Sequence, residues 1–296
     1  MDFTNFKNSV KKEVERRVGE NCTVTLIDTI KNNGVVLSGL QIISKNSNVA
    51  PVIYLDGYYE IYESGHKEFA EIISDILMVY KRNKVDQSID VSQFLNYEDV
   101  RSNIVYKLIN TDKNKELLQK LPHVAFHDLS IVFQVLIDMN DLGRATILIH
   151  NKHLGIWNVS IDEIYKDACH NTPIINRCEI RYVEDVVRGI VPPEVIGQMP
   201  VQMFILSNKD TLHGAACMIY PDVLKHFSDE MNSSIYIIPS SVHEVLLIPE
   251  ERMCGLGYEL LKQMIEDVND TQVQREEILS YSLYFYDRNF NEIIRL

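Results

Sequence analysis

Apolar, β-rich runs joined by turns too short to hold a helix constrain this chain more than any other feature of its sequence. The clearest pair is Cys22–Ile30 and Val35–Ser44, which are separated by Lys31-Asn32-Asn33-Gly34. Asn-Gly between two such runs is the strongest short signal for a β-hairpin, because both residues tolerate a positive φ. Strands joined so closely must run antiparallel.

The same arrangement recurs towards the C-terminus, where runs at 235–238 and 242–248 precede an alternating strand at 279–286. Helices lie between the strand pairs. Apolar residues at helical spacing predict them over 3–18, over 69–80, over 100–108 and over 256–268. The sequence therefore predicts an α+β protein, with antiparallel sheets built from consecutive hairpins and helices packed on one face.

A polar stretch without apolar periodicity, residues 81–90, divides the chain. It predicts an N-terminal region of helix, hairpin and helix at 1–85, and an α+β domain at 86–296. Within the second domain, positions from Leu136 to Leu154 resemble those from Leu206 to Leu224 at a constant offset of 70 residues. This weak repeat predicts two units of strand, turn, strand and helix start. It leaves open whether the units arose by duplication or by coincidence of common hairpin rules.

The charge of the chain limits its partners. Of its 296 residues, 42 are acidic and 29 are basic, which gives a net charge of −13. A field of this sign repels phosphate, so we expect no direct binding of nucleic acid or of an anionic membrane. No uncharged apolar run reaches the length that spans a bilayer.

Cysteine usage and the first residues indicate the compartment. The five cysteines are odd in number, far apart and without a C-x-x-C pair, as expected for reduced thiols. The N-terminus has neither the positive segment nor the apolar core of a secretory signal. We therefore expect a soluble, cytoplasmic protein.

A polar connection between two strongly apolar strands is the first candidate site, and it contains Ser240, Ser241, His243 and Glu244. Histidine titrates near neutrality, so His243 could act as a general base for a serine or for water, with a carboxylate such as Glu244 or Asp56 nearby. Residues 243 and 244 point to opposite faces of a strand, so this pair alone cannot form a dyad. The alternative is a hairpin whose Pro-Ser-Ser turn is capped by serine hydroxyls, with His243 packed against a sheet.

A tyrosine-rich segment is the second candidate site. Tyr54, Tyr58 and Tyr59 offer apolar faces with hydroxyl groups, and Asp56 offers a hydrogen-bond acceptor, a combination that suits a flat or sugar-like ligand. Alternatively, Asp56 follows the end of a strand and the tyrosines form one helical face against the core.

Metal and cofactor sites are not predicted. Cys169, His170 and Cys178 form one cluster, and His123 and His127 form another, but neither has the second close pair of ligands that zinc requires. A glycine-rich phosphate loop in its full strand–loop–helix setting is also missing from the sequence, so no cofactor is expected.

Several segments together resemble an uncharacterised family, a domain of unknown function found in gut Clostridia of the Lachnospiraceae type. These segments are Asn33-Gly34, Ile-Tyr-Leu-Asp-Gly-Tyr-Tyr-Glu at 53–60, Ile205-Leu-Ser-Asn208 with Gly214-Ala215, and Ile-Ile-Pro-Ser-Ser-Val-His-Glu-Val-Leu-Leu at 237–247. The last two thirds of the chain is also distantly similar to the YtpQ-type uncharacterised proteins of bacilli. Neither resemblance implies an activity, a cofactor or a catalytic residue.

The function is therefore open. The leading hypothesis is a binding protein for a protein partner or a small molecule, with the tyrosine-rich segment or the 239–244 turn as the contact surface. The alternative is a hydrolase-like enzyme that uses His243 with a nearby serine or carboxylate. A third hypothesis, an acidic mimic of nucleic acid, is based only on the net charge of −13.

Overall fold

The computed structural model describes residues 1–84, 92–138, 144–188, 201–253, 255 and 257–296. These residues form two compact units, Met1–Gln93 and Phe94–Leu296. The predicted boundary after residue 85, and most of the predicted linker at 81–90, lie outside the described residues. Among the helices of the described residues, none is both long enough and apolar enough to cross a membrane.

The unit Met1–Gln93 is a three-stranded antiparallel sheet with helices. Along the chain its elements are α1 (Phe3–Val18), β1 (Cys22–Ile30), β2 (Val36–Ser44), β3 (Val52–Tyr54), α2 (Asp56–Glu63) and α3 (Phe69–Asn83), with sheet order β1-β2-β3. Helix α1 begins after Asp2, whose carboxylate accepts the Asn5 N–H at 2.8 Å, and ends at Gly19, whose φ is 74°. The predicted first helix is confirmed.

The predicted hairpin of β1 and β2 is also confirmed. The strands pair from Cys22 opposite Ser44 to Ile30 opposite Val36. Asn33 and Gly34 supply the positive φ values that the connection needs, 61° and 68°. The core of this unit joins α1, the sheet and α3 through fully buried residues: Phe6, Val10, Val14, Leu40, Leu55, Ile72, Ile73 and Ile76.

The unit Phe94–Leu296 holds two further antiparallel sheets. Its strands are β4 (Ile104–Asn110), β5 (His123–Phe126), β6 (Leu129–Asp138), β7 (Arg144–Leu148), β8 (Cys178–Tyr182), β9 (Phe204–Asn208), β10 (Ile235–Ile238), β11 (Val245–Pro249), β12 (Tyr284–Asp287) and β13 (Glu292–Arg295). Its helices are α4 (Tyr97–Val100), α5 (Lys115–Leu118), α6 (Asn151–Trp157), α7 (Ile161–Ile175), α8 (Val183–Val187), α9 (Val223–Met231) and α10 (Tyr258–Thr271). Across both units, short 3₁₀ segments occupy Asn32–Gly34, Ser92–Leu95, Arg101–Asn103, Asp112–Asn114, Gly214–Ile219 and Glu250–Arg252.

The smaller of these sheets is organised around the long strand β6, which pairs with β4 on one edge and with β5 and β7 on the other. The larger sheet has the order β13-β12-β10-β11-β9-β8, with every neighbouring pair antiparallel. The protein is therefore an α+β protein with antiparallel sheets, as predicted.

The main core of this unit draws on one face of each sheet. Ile104, Tyr106 and Leu108 of β4 belong to the same buried cluster as Ile235 and Ile237 of β10. Alternate residues of β10 and β11 face the other way and pack against α10, in a second cluster that includes Ile238, Ile248, Leu261 and Ile265. The larger sheet is thus apolar on both faces.

The predicted helix over 100–108 is wrong. Residues Ile104–Asn110 form β4, in which every residue except Lys107 is buried. A strand buried on both faces has a continuous apolar run, and apolar periodicity does not distinguish such a run from a buried helix.

Two strands that are predicted in the C-terminal half of the chain also differ from the structure. In the second predicted repeat unit, Gly214–Ile219 is a 3₁₀ helix where the first unit has β7. The chain enters it through Thr211 and His213, whose φ values of 51° and 55° do not continue a strand.

The predicted strand over 279–286 begins only at Tyr284, and its partner β13 was not predicted. Before it, the carbonyl of Leu279 accepts from the Asn110 side chain at 3.1 Å, and the carbonyl of Ser280 accepts from the Asn269 side chain at 2.9 Å. Side-chain amides therefore replace the ladder hydrogen bonds of a strand.

A carboxylate links the two sheets of this unit. Asp128 lies in the turn between β5 and β6, and its side chain is only 14% exposed. It accepts hydrogen bonds from the hydroxyls of Ser280 (2.6 Å), Ser282 (3.1 Å) and Tyr284 (2.7 Å). Burial acts to raise the pKa of Asp128, but the hydrogen bonds from Ser280, Tyr284, the backbone and Ser282 outweigh it, and the pKa lies below its ordinary value.

We predict that Asp128→Asn lowers the free energy of unfolding by about 1–3 kcal/mol at neutral pH, because it replaces a charged acceptor of three hydroxyl donors. A depressed carboxyl pKa stabilises the fold above the unfolded pKa, and this contribution is lost as the pH falls through the folded pKa. The difference between variant and wild type should therefore shrink below about pH 4. Urea titrations over pH measure it. Asp112→Asn, at a side chain that is 78% exposed, is the matched control, and equal effects of the two substitutions would contradict the prediction.

Candidate functional site

The turn that was predicted as a catalytic site is closed by its own backbone and hydroxyls. The Ser241 hydroxyl accepts the backbone N–H of His243 at 3.0 Å, and the Ser241 N–H donates to the carbonyl of Glu244 at 3.2 Å. Ser240 N–H donates to the carbonyl of Ile238 at 3.0 Å. The serines therefore shape the connection between β10 and β11.

The imidazole of His243 has a contact at each ring nitrogen. Nδ1 accepts the backbone N–H of His213 at 3.3 Å, which leaves the proton of the neutral ring on Nε2. Nε2 lies 3.6 Å from a carboxylate oxygen of Glu277. The carboxylate beside His243 is thus Glu277, which sequence reasoning missed, in place of the predicted Glu244. In this tautomer Nδ1 is the nitrogen with the free lone pair, and a backbone N–H already occupies it.

His213 stacks on His243 with ring centroids 5.9 Å apart and planes 17° from parallel. Its Nε2 lies 3.5 Å from Nζ of Lys107, and its Nδ1 is shielded from water without a hydrogen-bond partner among the described residues. Burial, and then the charges of Lys107 and His243, lower the pKa of His213 to about 3. His213 is therefore a neutral ring that lies between the Lys107 ammonium and the ring of His243.

The tyrosine-rich segment lies partly in the core and partly on the surface. Asp56 accepts the backbone N–H of Ser38 at 2.9 Å, so its carboxylate ties α2 to β2. Tyr59 packs against Phe3 with ring centroids 4.9 Å apart, and its hydroxyl donates to the carbonyl of Met1 and to Glu63, each at 3.2 Å. These two predicted ligand-binding residues have structural contacts.

Tyr54 and Tyr58, the other two predicted binding residues, do come together. They line an open groove of about 670 Å³ between α2 and α3, which also includes Ile61, Met78 and Val79. Met78 is 63% exposed, so this side of the unit Met1–Gln93 presents apolar surface.

A cavity of about 330 Å³ in the unit Phe94–Leu296 is better enclosed than this groove. Its lining comes from both sheets, from α7, from the 3₁₀ segment Gly214–Ile219 and from the start of α9. The lining residues are Tyr106, Phe126, Ile131, Tyr165, Cys169, Met218, Ile219, Tyr220, Asp222, Leu224, Lys225, Tyr286, Asn291 and Ile293. Buried residues form the floor and exposed polar residues form the rim, an arrangement typical of small-molecule sites.

The floor of the cavity contains a polar group without a partner. Tyr106 is 3% exposed, and its hydroxyl has no hydrogen-bond partner among the described residues. The hydroxyl of Tyr286, by contrast, donates to the side-chain oxygen of Asn291, and that of Tyr220 donates to the carbonyl of Asn176. Burial raises the pKa of Tyr106, so its hydroxyl is a neutral donor at physiological pH.

The rim of the cavity carries charge. Asp222 precedes α9 with a left-handed backbone, φ 59°, and its side chain does not cap the helix. Lys225, in the first turn of α9, also lines the cavity. The positive end of a nine-residue helix therefore lies at the rim, beside one acidic and one basic side chain.

The thiol in the cavity is not set up as a nucleophile. Cys169 of α7 is half-buried, and burial raises the pKa of its thiol. Over the described part of the chain, no group of three or more histidine, cysteine or acidic side chains could hold a metal ion.

Sequence reasoning missed the cavity because its residues share no local pattern. Tyr106, Cys169 and Tyr286 belong to three different elements, and each fits the apolar face of its own element. The available signal was the excess of tyrosine over phenylalanine at buried positions, since a buried hydroxyl requires a partner.

We predict that Gly214→Ala destabilises the protein strongly, because an added Cβ would overlap the Ser207 hydroxyl and lie 2.5 Å from the His243 carbonyl oxygen. Gly155→Ala is the matched control, since a Cβ there meets nothing within 4 Å and alanine favours the helix α6. Thermal unfolding should show a large loss for the first and no loss for the second. A Gly214→Ala protein as stable as Gly155→Ala would refute the close approach.

We predict that His213→Asn flattens the dependence of stability on pH. With the folded pKa near 3, the unfolded chain binds more protons between about pH 6.5 and 3, so stability falls as the pH falls through that range. Asparagine tolerates the left-handed backbone and does not titrate. Unfolding free energies measured from pH 7 to 4 should fall less steeply in the variant than in the wild type. A variant whose stability falls as steeply with pH as that of the wild type would contradict this role of His213.

Comparison with known proteins finds a matching family for this chain. Residues 3–288 match the model of a family of unknown function, DUF5688. No curated protein and no solved structure matches the chain. The match extends through both compact units. The chain therefore belongs to DUF5688, a family of unknown function.

Proposed function

We propose that this protein binds a small, largely apolar organic molecule in the cavity of the unit Phe94–Leu296. The observation that carries the proposal is Tyr106, a residue only 3% exposed that lines the cavity and whose hydroxyl has no hydrogen-bond partner among the described residues. A ligand oxygen that accepts from this hydroxyl would gain the net free energy of a typical hydrogen bond, about 0.5–1.5 kcal/mol.

The cavity is large enough for a substituted ring. Its volume is about 330 Å³, whereas an apolar protein cavity of about 150 Å³ holds benzene. Ile131 and Met218 contribute apolar floor that is 3% and 1% exposed. Burying a ring against these side chains supplies the hydrophobic part of the affinity, at about 25 cal/mol per Å².

Binding is favoured over the hydrolase hypothesis. His243, the predicted general base, is held by the His213 N–H on one side and faces Glu277 on the other. The hydroxyl of Ser241 is engaged by the backbone N–H of His243, not by its ring. These contacts support a structural role for the turn, so we assign no catalytic residue.

The location of the protein is part of the same proposal. We place it in the bacterial cytoplasm, in line with the resemblance to proteins of gut Clostridia and of bacilli. The free thiols of Cys22, Cys169, Cys178 and Cys217 support a reducing compartment.

Blocking the cavity tests the proposal. We predict that ring compounds of the size of a substituted benzene raise the melting temperature of the wild type and bind in calorimetric titrations. Ile219→Trp places a larger side chain at the cavity wall and should abolish both effects. Ile174→Trp is the matched control, because this side chain of α7 is 56% exposed and does not line the cavity. Circular dichroism shows whether both variants fold. Unchanged binding by a folded Ile219→Trp variant would overturn the proposed site.

A further inference from the structure

We propose that the ligand is an aromatic or other ring-containing carboxylic acid, with a hydroxyl or carbonyl group at the end opposite its carboxylate. This inference rests on the proposed function and adds the chemical class of the ligand. It follows from the two polar positions of the cavity, one at the rim and one at the floor.

The rim position suits an anion. The first N–H groups of a helix have no partner within the helix, and those of α9 (Val223–Met231) begin at the cavity wall formed by Leu224 and Lys225. The N–H of Val223 donates to the carbonyl of Tyr220 at 3.4 Å, and the side chain of Asp222 does not cap the N–H groups of Leu224 and Lys225 that follow. A carboxylate can accept these N–H groups and pair with the Lys225 ammonium.

The floor position is independent of this helix. Tyr106 comes from β4, and its backbone is fixed by a hydrogen bond from its N–H to the Thr172 hydroxyl at 3.1 Å. Its ring is packed edge-on against Tyr220 with centroids 6.0 Å apart. The hydroxyl is therefore held in place as a neutral donor, and the group that it fits is an uncharged oxygen.

Between these two positions the wall is apolar. Ile131 and Met218 are buried, and Phe126 and Ile293 are partly buried. A charged group placed among them would lose its hydration without a partner. The ligand must therefore carry its charge at the rim and its ring in the middle.

The charges at the rim decide between an acid and an amine. Asp222 contributes one negative charge, and Lys225 contributes one positive charge. The remaining contribution comes from the N-terminal end of α9, where the aligned peptide dipoles act as roughly half a positive charge. The balance therefore favours an anion over a cation.

The experiment compares four ring compounds by isothermal titration calorimetry with the full-length protein. They are 4-hydroxybenzoate, benzoate, 4-hydroxybenzyl alcohol and tyramine. We expect 4-hydroxybenzoate to bind most tightly. Benzoate should bind about two- to tenfold more weakly than 4-hydroxybenzoate, because it cannot accept from Tyr106. The neutral alcohol should also be weaker than 4-hydroxybenzoate, and tyramine should be weakest.

Substitutions test which residue contacts each end of the ligand. Lys225→Gln should weaken 4-hydroxybenzoate by about two- to fivefold and leave 4-hydroxybenzyl alcohol unchanged. Tyr106→Phe should remove the advantage of 4-hydroxybenzoate over benzoate. Lys115→Gln, which removes the same charge at a side chain that is 71% exposed on α5, should change nothing.

The outcomes separate the two proposals. Equal binding of acid and alcohol, or tighter binding of tyramine, overturns the carboxylate class while the proposed binding function stands. Failure of every ring compound to bind the folded wild type overturns the proposed function itself. Binding of 4-hydroxybenzoate that Ile219→Trp does not reduce moves the site away from this cavity and overturns both.

Discussion

The two sheets of the unit Phe94–Leu296 are joined through the Asp128 carboxylate, and the cavity depends on that junction. The three hydroxyls that donate hydrogen bonds to Asp128 belong to residues 280–284, which lie immediately before β12 and at its start. One wall of the cavity, with Phe126 and Ile131, lies on the Asp128 side, and another, with Tyr286, continues from β12. These walls are therefore connected by a charged, largely buried group whose hydrogen bonds compensate its loss of hydration.

Elements with local signals were predictable from the sequence. The helix Phe3–Val18 has apolar spacing, an aspartate cap and a terminal glycine, and the hairpin of β1 and β2 has Asn33-Gly34. The α+β class follows from many such pairs. Strand β4 was not predictable in this way. It is buried on both faces, so it lacks the alternation of apolar and polar residues that marks a half-exposed strand.

The candidate site was less accessible to sequence reasoning than the fold. The turn around His243 was found because its polar residues interrupt an apolar run, but its contacts with His213 and Glu277 come from segments 30 and 34 residues away. Tyr106 looks like an ordinary core residue until the surroundings of its hydroxyl are known. Chemistry that depends on a missing partner is a property of tertiary structure, so no local pattern encodes it.

The division of the buried residues into separate cores has a consequence for how this family can change. The cluster around Phe6, Leu40 and Ile73 shares no residue with the cluster that holds Tyr106 and Ile131. Each cluster consists of residues of a single compact unit. Substitutions below the groove and substitutions around the cavity therefore act on different sets of buried side chains, so evolution can retune the packing below one surface with residues that take no part in the packing below the other.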